Sequence, residues 1–260
     1  MKSDNRPIGI FDSGVGGLSV LLEIKKLLPL ESSVFLADQA HNPYGAKTKK
    51  QLQNLSLRIT KFLLKHNIKL LVVACNTATC YAIDYLRQNF TIPIIGVVPA
   101  IKPASTFTKA GKIVIMSTPA TAKSTYLKKL IDKYANGAKV LKLGCDQLEE
   151  SIECLDKQKI NKLLNLYSRD INHFRADVVV LGCTHFPFIK NDLAKKINSA
   201  KIIDSGGAVA KRVKTVLSNT FSLAATKAQD LYYTTADPIN FTEVASILLG
   251  RKISAQKVNI

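Results

Sequence analysis

The sequence predicts an α/β protein with parallel sheets, built as two similar halves. Three observations lead there. Short apolar runs and segments with helical spacing alternate along the whole chain, which is the order that βαβ units impose. Two runs, LLVVACNT at 70–77 and VVVLGCTH at 178–185, follow one design: an apolar stretch, a small residue, a cysteine, then hydrogen-bonding side chains. Both runs are continuous and rich in β-branched residues, as expected of strands buried on both faces of a parallel sheet.

In chain order, Ile8–Phe11 reads as a strand, followed by a glycine-rich turn and a helix over 18–28. Val34–Ala37 is a second strand. Residues 48–65 place Leu52, Leu55, Ile59, Phe62 and Leu63 on one helical face,. The first cysteine strand follows, then a helix through 81–86 and a strand over 93–98. Two prolines in 98–103 mark a crossing point between domains,. Beyond it come a strand over 112–116, one helix over 120–134, a strand over 139–143 and helical segments to Ile171. The second cysteine strand, a helix over 188–197 and a strand over 201–203 close that half. A helix, a strand over 231–235 and a helix over 241–249 complete the chain. The two cysteine strands lie 108 positions apart, too far for a solenoid repeat and suited to one α/β domain each. The thiols are therefore expected at the interface of the halves.

The 260 residues are 47% apolar, enough for one large or two modest cores,. No run of about eighteen apolar residues occurs, and the polar start lacks the apolar stretch of a secretory signal. A soluble cytoplasmic protein is expected. Five cysteines make an odd count without paired C-x-x-C spacing, which argues against a disulfide framework or structural zinc. A metal on Cys183 and His185 is not favoured by their spacing, and no metal is expected. The net charge of +18 is spread over scattered lysines without interleaved aromatics. It reads as a solvated surface, with incidental polyanion binding expected in low salt.

At the end of an open α/β strand lie the positions that bind ligands. Asp12–Ser13–Gly14–Val15–Gly16–Gly17 follows the first strand and offers a tight turn and helix amides to an anion,; a plain helix-capping turn is the alternative. Its G-x-G-G spacing is not the dinucleotide fingerprint. Cys75 opens a helix, where a thiol's pKa falls below its usual value of about 8.5, and Asn76 and Thr77 add donors. Cys80, one turn on, reads as a small buried hydrophobe. Cys183–Thr184–His185 repeats the arrangement with a histidine able to share a proton near neutrality. Two equivalent thiols suit proton removal from one face of a carbon and delivery to the other. A Cys/His acyl-transfer enzyme is the rival chemistry, but it leaves the second thiol unused. Glu149 and Glu153, at i and i+4, are expected at a solvated surface with Glu150. Pro43–Tyr44–Gly45 reads as a turn near the same sheet edge.

The residues GIFDSGVGGL at 9–18, PYG at 43–45, ACNTA at 74–78, GVVPA at 96–100 and LGCTHFP at 181–187 resemble the cofactor-independent aspartate/glutamate racemases almost end to end. That resemblance implies two flavodoxin-like, pseudo-symmetric domains with the active site at their interface. One is 1–97 plus 207–260, the other, 98–206, inserted in it. It implies Cys75 and Cys183 as the acid/base pair, the former acting on the D-enantiomer and the latter on the L-enantiomer, assisted by Asp12 and His185. Ser13, Tyr44, Gly45, Asn76, Thr77, Thr118, Thr121 and Thr184, with Asp12 and His185, would bind the substrate. Glu153 aligns with a glutamate near the site in relatives, although residues 145–153 depart from the family pattern in being less apolar and lacking proline. The strongly basic charge is also atypical of the family.

The function so implied is interconversion of L- and D-glutamate without a cofactor, supplying D-glutamate for peptidoglycan, in an expected homodimer. Pyridoxal phosphate is unnecessary because two thiols suffice. Family members activated by a cell-wall nucleotide precursor tend to carry an N-terminal extension. The first strand here begins within ten residues of Met1, so that regulation is not expected. Two rivals stay open at this stage: preference for aspartate, and a basic nucleic-acid-binding protein on a racemase fold.

Overall fold

The computed structural model describes residues 3–220 and 222–260. Among these are ten strands: β1 (Ile8–Asp12), β2 (Ser33–Ala37), β3 (Leu70–Val73), β4 (Ile94–Gly96), β5 (Lys112–Ser117), β6 (Lys139–Gly144), β7 (Val178–Leu181), β8 (Lys201–Ile203), β9 (Leu231–Thr234) and β10 (Ala255–Lys257). They form two sheets, ordered β10-β9-β2-β1-β3-β4 and β6-β5-β7-β8, and every pairing is parallel. The chain divides into two compact units, Met1–Val97 with Gly206–Ile260, and Val98–Ser205. In each unit the opening strand is central, the next strand lies on one side and the third on the other. This is the order of a flavodoxin-like doubly wound sheet.

The apolar runs are continuous because helices cover both faces of each sheet. In the second unit, Val114, Met116, Val179 and Leu181 join one core with Leu148, Ile152, Leu164 and Phe186. Their neighbours Ile113, Ile115, Val178 and Val180 join the core on the other face with Ile101, Ala104 and Leu127. In the first unit, Phe11, Leu36, Leu71 and Val73 pack on Leu52, Leu55, Ile59 and Leu63 from the helix Lys49–Leu64. A capping box starts that helix: Thr48 Oγ1 accepts from the Gln51 amide at 3.3 Å, and Gln51 Oε1 accepts from the Thr48 amide at 2.9 Å,.

Four local expectations change. Residues 120–134 form two helices, Pro119–Lys123 and Thr125–Tyr134, because Ser124 turns extended (ψ 140°) and its hydroxyl caps the second through the Leu127 amide,. Residues 188–197 are a 3-10 turn, Phe186–Ile189, and a short helix, Lys190–Ala194. The stretch after Val98 soon enters a helix, Ile101–Phe107, with Pro103 in its first turn, where no amide bond is lost,. The helix after Cys75 is longer than its apolar face suggested, spanning Asn76–Asn89. β10 was not foreseen; three residues, Ala-Gln-Lys, carry too little pattern to read as an edge strand.

A fully buried ion pair ties the first unit together. Lys69 Nζ stands 2.7 Å from Glu31 Oε2, with both side chains almost wholly out of solvent. Lys69 also donates to the Asp4 carbonyl at 2.6 Å, and Glu31 Oε1 accepts from the Ala224 amide at 2.9 Å. In the second unit, Asp177 accepts from the Thr108 hydroxyl and from the Lys109 and Ala110 amides at 2.6–2.7 Å. Burial opposes that charge, but these donors outweigh it and hold the carboxyl at about 2.

Lys69→Ala or Glu31→Ala alone is expected to cost about 3–5 kcal/mol in urea unfolding, since each strands the other charge, while a Lys69→Met/Glu31→Leu double variant recovers most of the loss. Asp177 stabilises the fold above the ordinary carboxylate range of about 4, and this is lost as pH falls toward its folded value. Asp177→Ala should therefore lower stability at neutral pH and flatten its acid dependence between about pH 4 and 2, read by thermal unfolding across that range.

Candidate active site

Doubly wound sheets bind ligands beyond the carboxyl ends of their strands, where the winding reverses direction. In the first unit this point lies between β1 and β3, and in the second between β5 and β7. Each is flanked by a cysteine. Ala74 donates its amide to the Phe11 carbonyl at 2.8 Å, bringing Cys75 beside Asp12 and Ser13. Gly182 donates to the Met116 carbonyl at 2.6 Å, bringing Cys183 beside Ser117 and Thr118. A Cβ on Gly182 would stand 3.0 Å from that carbonyl and 3.3 Å from Pro99, so the residue before the second thiol must be small.

In the first unit, Asp12 is fully buried, and its Oδ1 accepts from the Ser13 amide at 2.7 Å. Gly17 lets the turn close over it, because a Cβ there would lie 2.7 Å from the Asp12 Cβ. Ser13 Oγ is 3.7 Å from Cys75 Sγ. Cys75 caps the helix Asn76–Asn89, and its sulfur accepts from the Ala78 amide at 3.5 Å. That amide and the positive helix end both favour negative charge on the sulfur. Asn76 is buried, and its Oδ1 has no hydrogen-bond partner among the described residues, an acceptor in want of a donor. Thr77 is buried beside it.

Tyr44 packs in the same core as Cys75, after a cis Asn42–Pro43 peptide, while Gly45 is exposed. The Tyr44 hydroxyl donates to Asp38 Oδ2 at 2.7 Å. Burial first, then the Asp38 charge, push this phenol well above its ordinary pKa. Asp38 is fully buried and also engages His41 Nδ1 at 2.7 Å and the Thr235 hydroxyl at 2.8 Å. Sequence reasoning missed Asp38, although a carboxylate directly after β2 occupies the same kind of strand end as Asp12.

In the second unit, Cys183 Sγ lies 3.6 Å from His185 Nδ1, and His185 Nε2 lies 2.5 Å from Glu153 Oε1. Burial raises the Cys183 thiol, with the histidine pulling the other way. Burial also disfavours the His185 cation, but the bonds and charges of Cys183 and Glu153 prevail and hold the imidazole well above its ordinary value. Thr184 is buried next to the thiol. Thr118 caps Pro119–Lys123, its Oγ1 3.1 Å from the hydroxyl of buried Thr121.

The solvated-surface expectation for the glutamates is corrected for two of the three. Glu153 is buried on His185, and Glu149 is half-buried, with a carboxylate oxygen within 4.8 Å of Cys183 Sγ and a His185 ring nitrogen. The helix Leu148–Glu153 turns Leu148, Ser151 and Ile152 into the core and carries both carboxylates toward β7. Only Glu150 stays outside, in a surface pair with Lys159. Cys145 is buried in the same core as Cys183, its thiol donating to the Leu143 carbonyl at 3.6 Å; burial, then the charge of Cys183, raise it strongly. All five cysteines are free thiols, with Cys154 exposed and Cys80 half-buried.

Fold and sequence together define an amino-acid racemase, an isomerase. Residues 19–213 match the family of Asp/Glu/Hydantoin racemases, and the chain belongs to it. Its similarities run to glutamate racemases in particular. It is 38% identical to the glutamate racemase of Pseudomonas paraeruginosa over the whole of both chains, and 42% identical to that of Clostridium acetobutylicum over 82% of this chain and 85% of the other. The structure superposes on a Bacillus anthracis glutamate racemase isoform with a TM-score of 0.88 at 30% identity, covering 98% and 97% of the chains. It superposes on the Escherichia coli glutamate racemase, solved with L-glutamate and the activator UDP-MurNAc-ala, with 0.86 at 31%, covering 96% and 97%.

Alkylation of the intact protein with iodoacetamide should label Cys154 first and Cys145 last, followed by mass spectrometry of timed samples. Early labelling of Cys145 would contradict its burial and its raised thiol.

Proposed function

We propose that this protein interconverts L- and D-glutamate by a cofactor-independent two-base reaction, with Cys75 and Cys183 as the acid/base pair. One observation carries the reading: equivalent strand ends of two like sheets each present a thiol with its own charge-stabilising partner. Glutamate as substrate rests on the named relatives, and supply of D-glutamate for peptidoglycan follows from that choice.

From L-glutamate, Cys183 as thiolate takes the α-proton, while Cys75 as thiol protonates the opposite face; the reverse direction exchanges the roles. His185 receives the Cys183 proton beforehand, and Glu153 steadies the resulting imidazolium. On the other side, the Ala78 amide and helix end stabilise Cys75 as it gives up its proton. The α-carbon is a weak acid, so the charge developing on its carboxylate needs fixed donors. Ser13, Thr77, Thr118, Thr121, Thr184 and the exposed backbone at Gly45 are assigned to the substrate's carboxylates. The orphan Asn76 Oδ1 suits its ammonium. Tyr44 shapes the wall beside Cys75, its proton committed to Asp38. General acid–base action contributes roughly a hundredfold to ten-thousandfold, leaving positioning and electrostatics the larger share.

Incubation of pure protein with L-glutamate in deuterated water, with no cofactor added, should give D-glutamate carrying deuterium at the α-carbon and little D-aspartate from a parallel L-aspartate sample. Cys75→Ala and Cys183→Ala should each lower turnover in both directions by at least about a hundredfold with the circular dichroism unchanged. Two-way turnover surviving either change rules out the two-thiol scheme, and faster racemisation of aspartate rules out the substrate assignment.

A further inference from the structure

We propose that Glu149, Cys183 and His185 form a zinc-binding site inside the second unit, and that zinc held there blocks the enzyme reversibly. Each residue offers one ligand atom, and the three atoms lie within 4.8 Å of one another. Tetrahedral zinc takes sulfur at about 2.3 Å and imidazole nitrogen at about 2.0–2.1 Å, which sets those two ligands about 3.5–3.6 Å apart. Cys183 Sγ and His185 Nδ1 are separated by 3.6 Å, so an ion fits between them without moving either side chain far.

The ring is already turned for the purpose. Glu153 engages Nε2, which leaves Nδ1 facing the sulfur, as in the carboxylate–histidine–zinc arrangement that orients ligand imidazoles. On binding, the proton that Cys183 has given to His185 leaves Nδ1 for solvent, so that sulfur and ring nitrogen are both free to take the ion,. The Cys183 thiolate and the Glu149 carboxylate then neutralise the two charges of the ion. Thiolate with imidazole selects zinc over magnesium or calcium, which prefer oxygen ligands. Three protein ligands leave a fourth position for water or a substrate carboxylate. The occupied thiol is no longer available as a base. Binding needs only this unit; the inhibition rests on the racemase reading above.

The test uses the purified protein freed of metal with a chelator, and cobalt(II) as a spectroscopic stand-in for zinc. Wild type should show a thiolate-to-cobalt charge-transfer band in the near ultraviolet, displaced by zinc and absent in Cys183→Ser. Glu149→Val should weaken zinc binding at least about tenfold, and raise by the same factor the zinc concentration that halves its own zinc-free racemisation. Glu149→Gln, which keeps the side chain's size, serves if Glu149→Val misfolds by circular dichroism. Magnesium and calcium should not inhibit. Zinc affinity unchanged in both Glu149 variants, or a cobalt band persisting in Cys183→Ser, overturns the site. A normal band in a protein that racemises nothing overturns the functional reading and leaves the site standing.

Discussion

Parallel pairing of the strand before each cysteine with the strand that opens its sheet is the constraint from which the candidate chemistry descends. Phe11 pairs with Val73, and Met116 with Leu181. These registers set the first residue beyond each strand end, and the backbone bonds from Ala74 and Gly182 hold it there. A slip by one residue would turn each thiol to the opposite face of its sheet. The alternate residues of β5 and β7 belong to separate cores, one on each face of the sheet, so a slip would force both cores to repack.

The two strand ends share a plan and differ in electrostatics. Cys75 has a backbone amide and a helix end, with the Ser13 hydroxyl between its sulfur and the buried Asp12 carboxylate. Cys183 sits in a chain of titratable groups, thiol to imidazole to carboxylate, in deep burial. Charge separation within that chain is inexpensive only while all its members stay together, because each alone would be a buried ion without a partner. The rest of the molecule follows the same economy of acids. Of 19 acidic residues, Asp12, Glu31, Asp38, Glu153, Asp177 and Asp230 are committed to internal bonds. The lysine-rich exterior is thus even less compensated than the net charge of +18 implies, and it projects a field that draws anions.

Most of the fold was legible in the sequence because its signals are local. A β-branched run such as 178–181 or an amphipathic face such as Leu52–Leu63 declares itself within a few residues. Asp12, Cys75 and Cys183 stand out as candidates for the same reason, each lying where an apolar run stops. What escaped depended on partners distant in sequence or on weak signals. Glu153 is suggested by resemblance alone, while its spacing reads as one of three surface charges; its burial shows only when Leu148 and Ile152 roll that segment into a core with β7. Asp38 reveals its importance only when Tyr44, His41 and Thr235, spread over almost two hundred positions, converge on it. The break at Ser124 hid inside an otherwise helical apolar pattern, although serine is a favoured helix N-cap,.

The division of the chain also orders its birth. Val98–Ser205 is contiguous and holds its four strands complete, so it can close its core as soon as it leaves the ribosome. The surrounding unit must wait, because β9 and β10, which finish its sheet beyond β2, and Ala224 and Asp230, which bond Glu31 and Lys25, are synthesised last. Until then β2 presents an open hydrogen-bonding edge. A nascent chain stalled before residue 231 would thus carry a finished domain within an unfinished one, making that edge the place where a chaperone or a second nascent chain would first take hold.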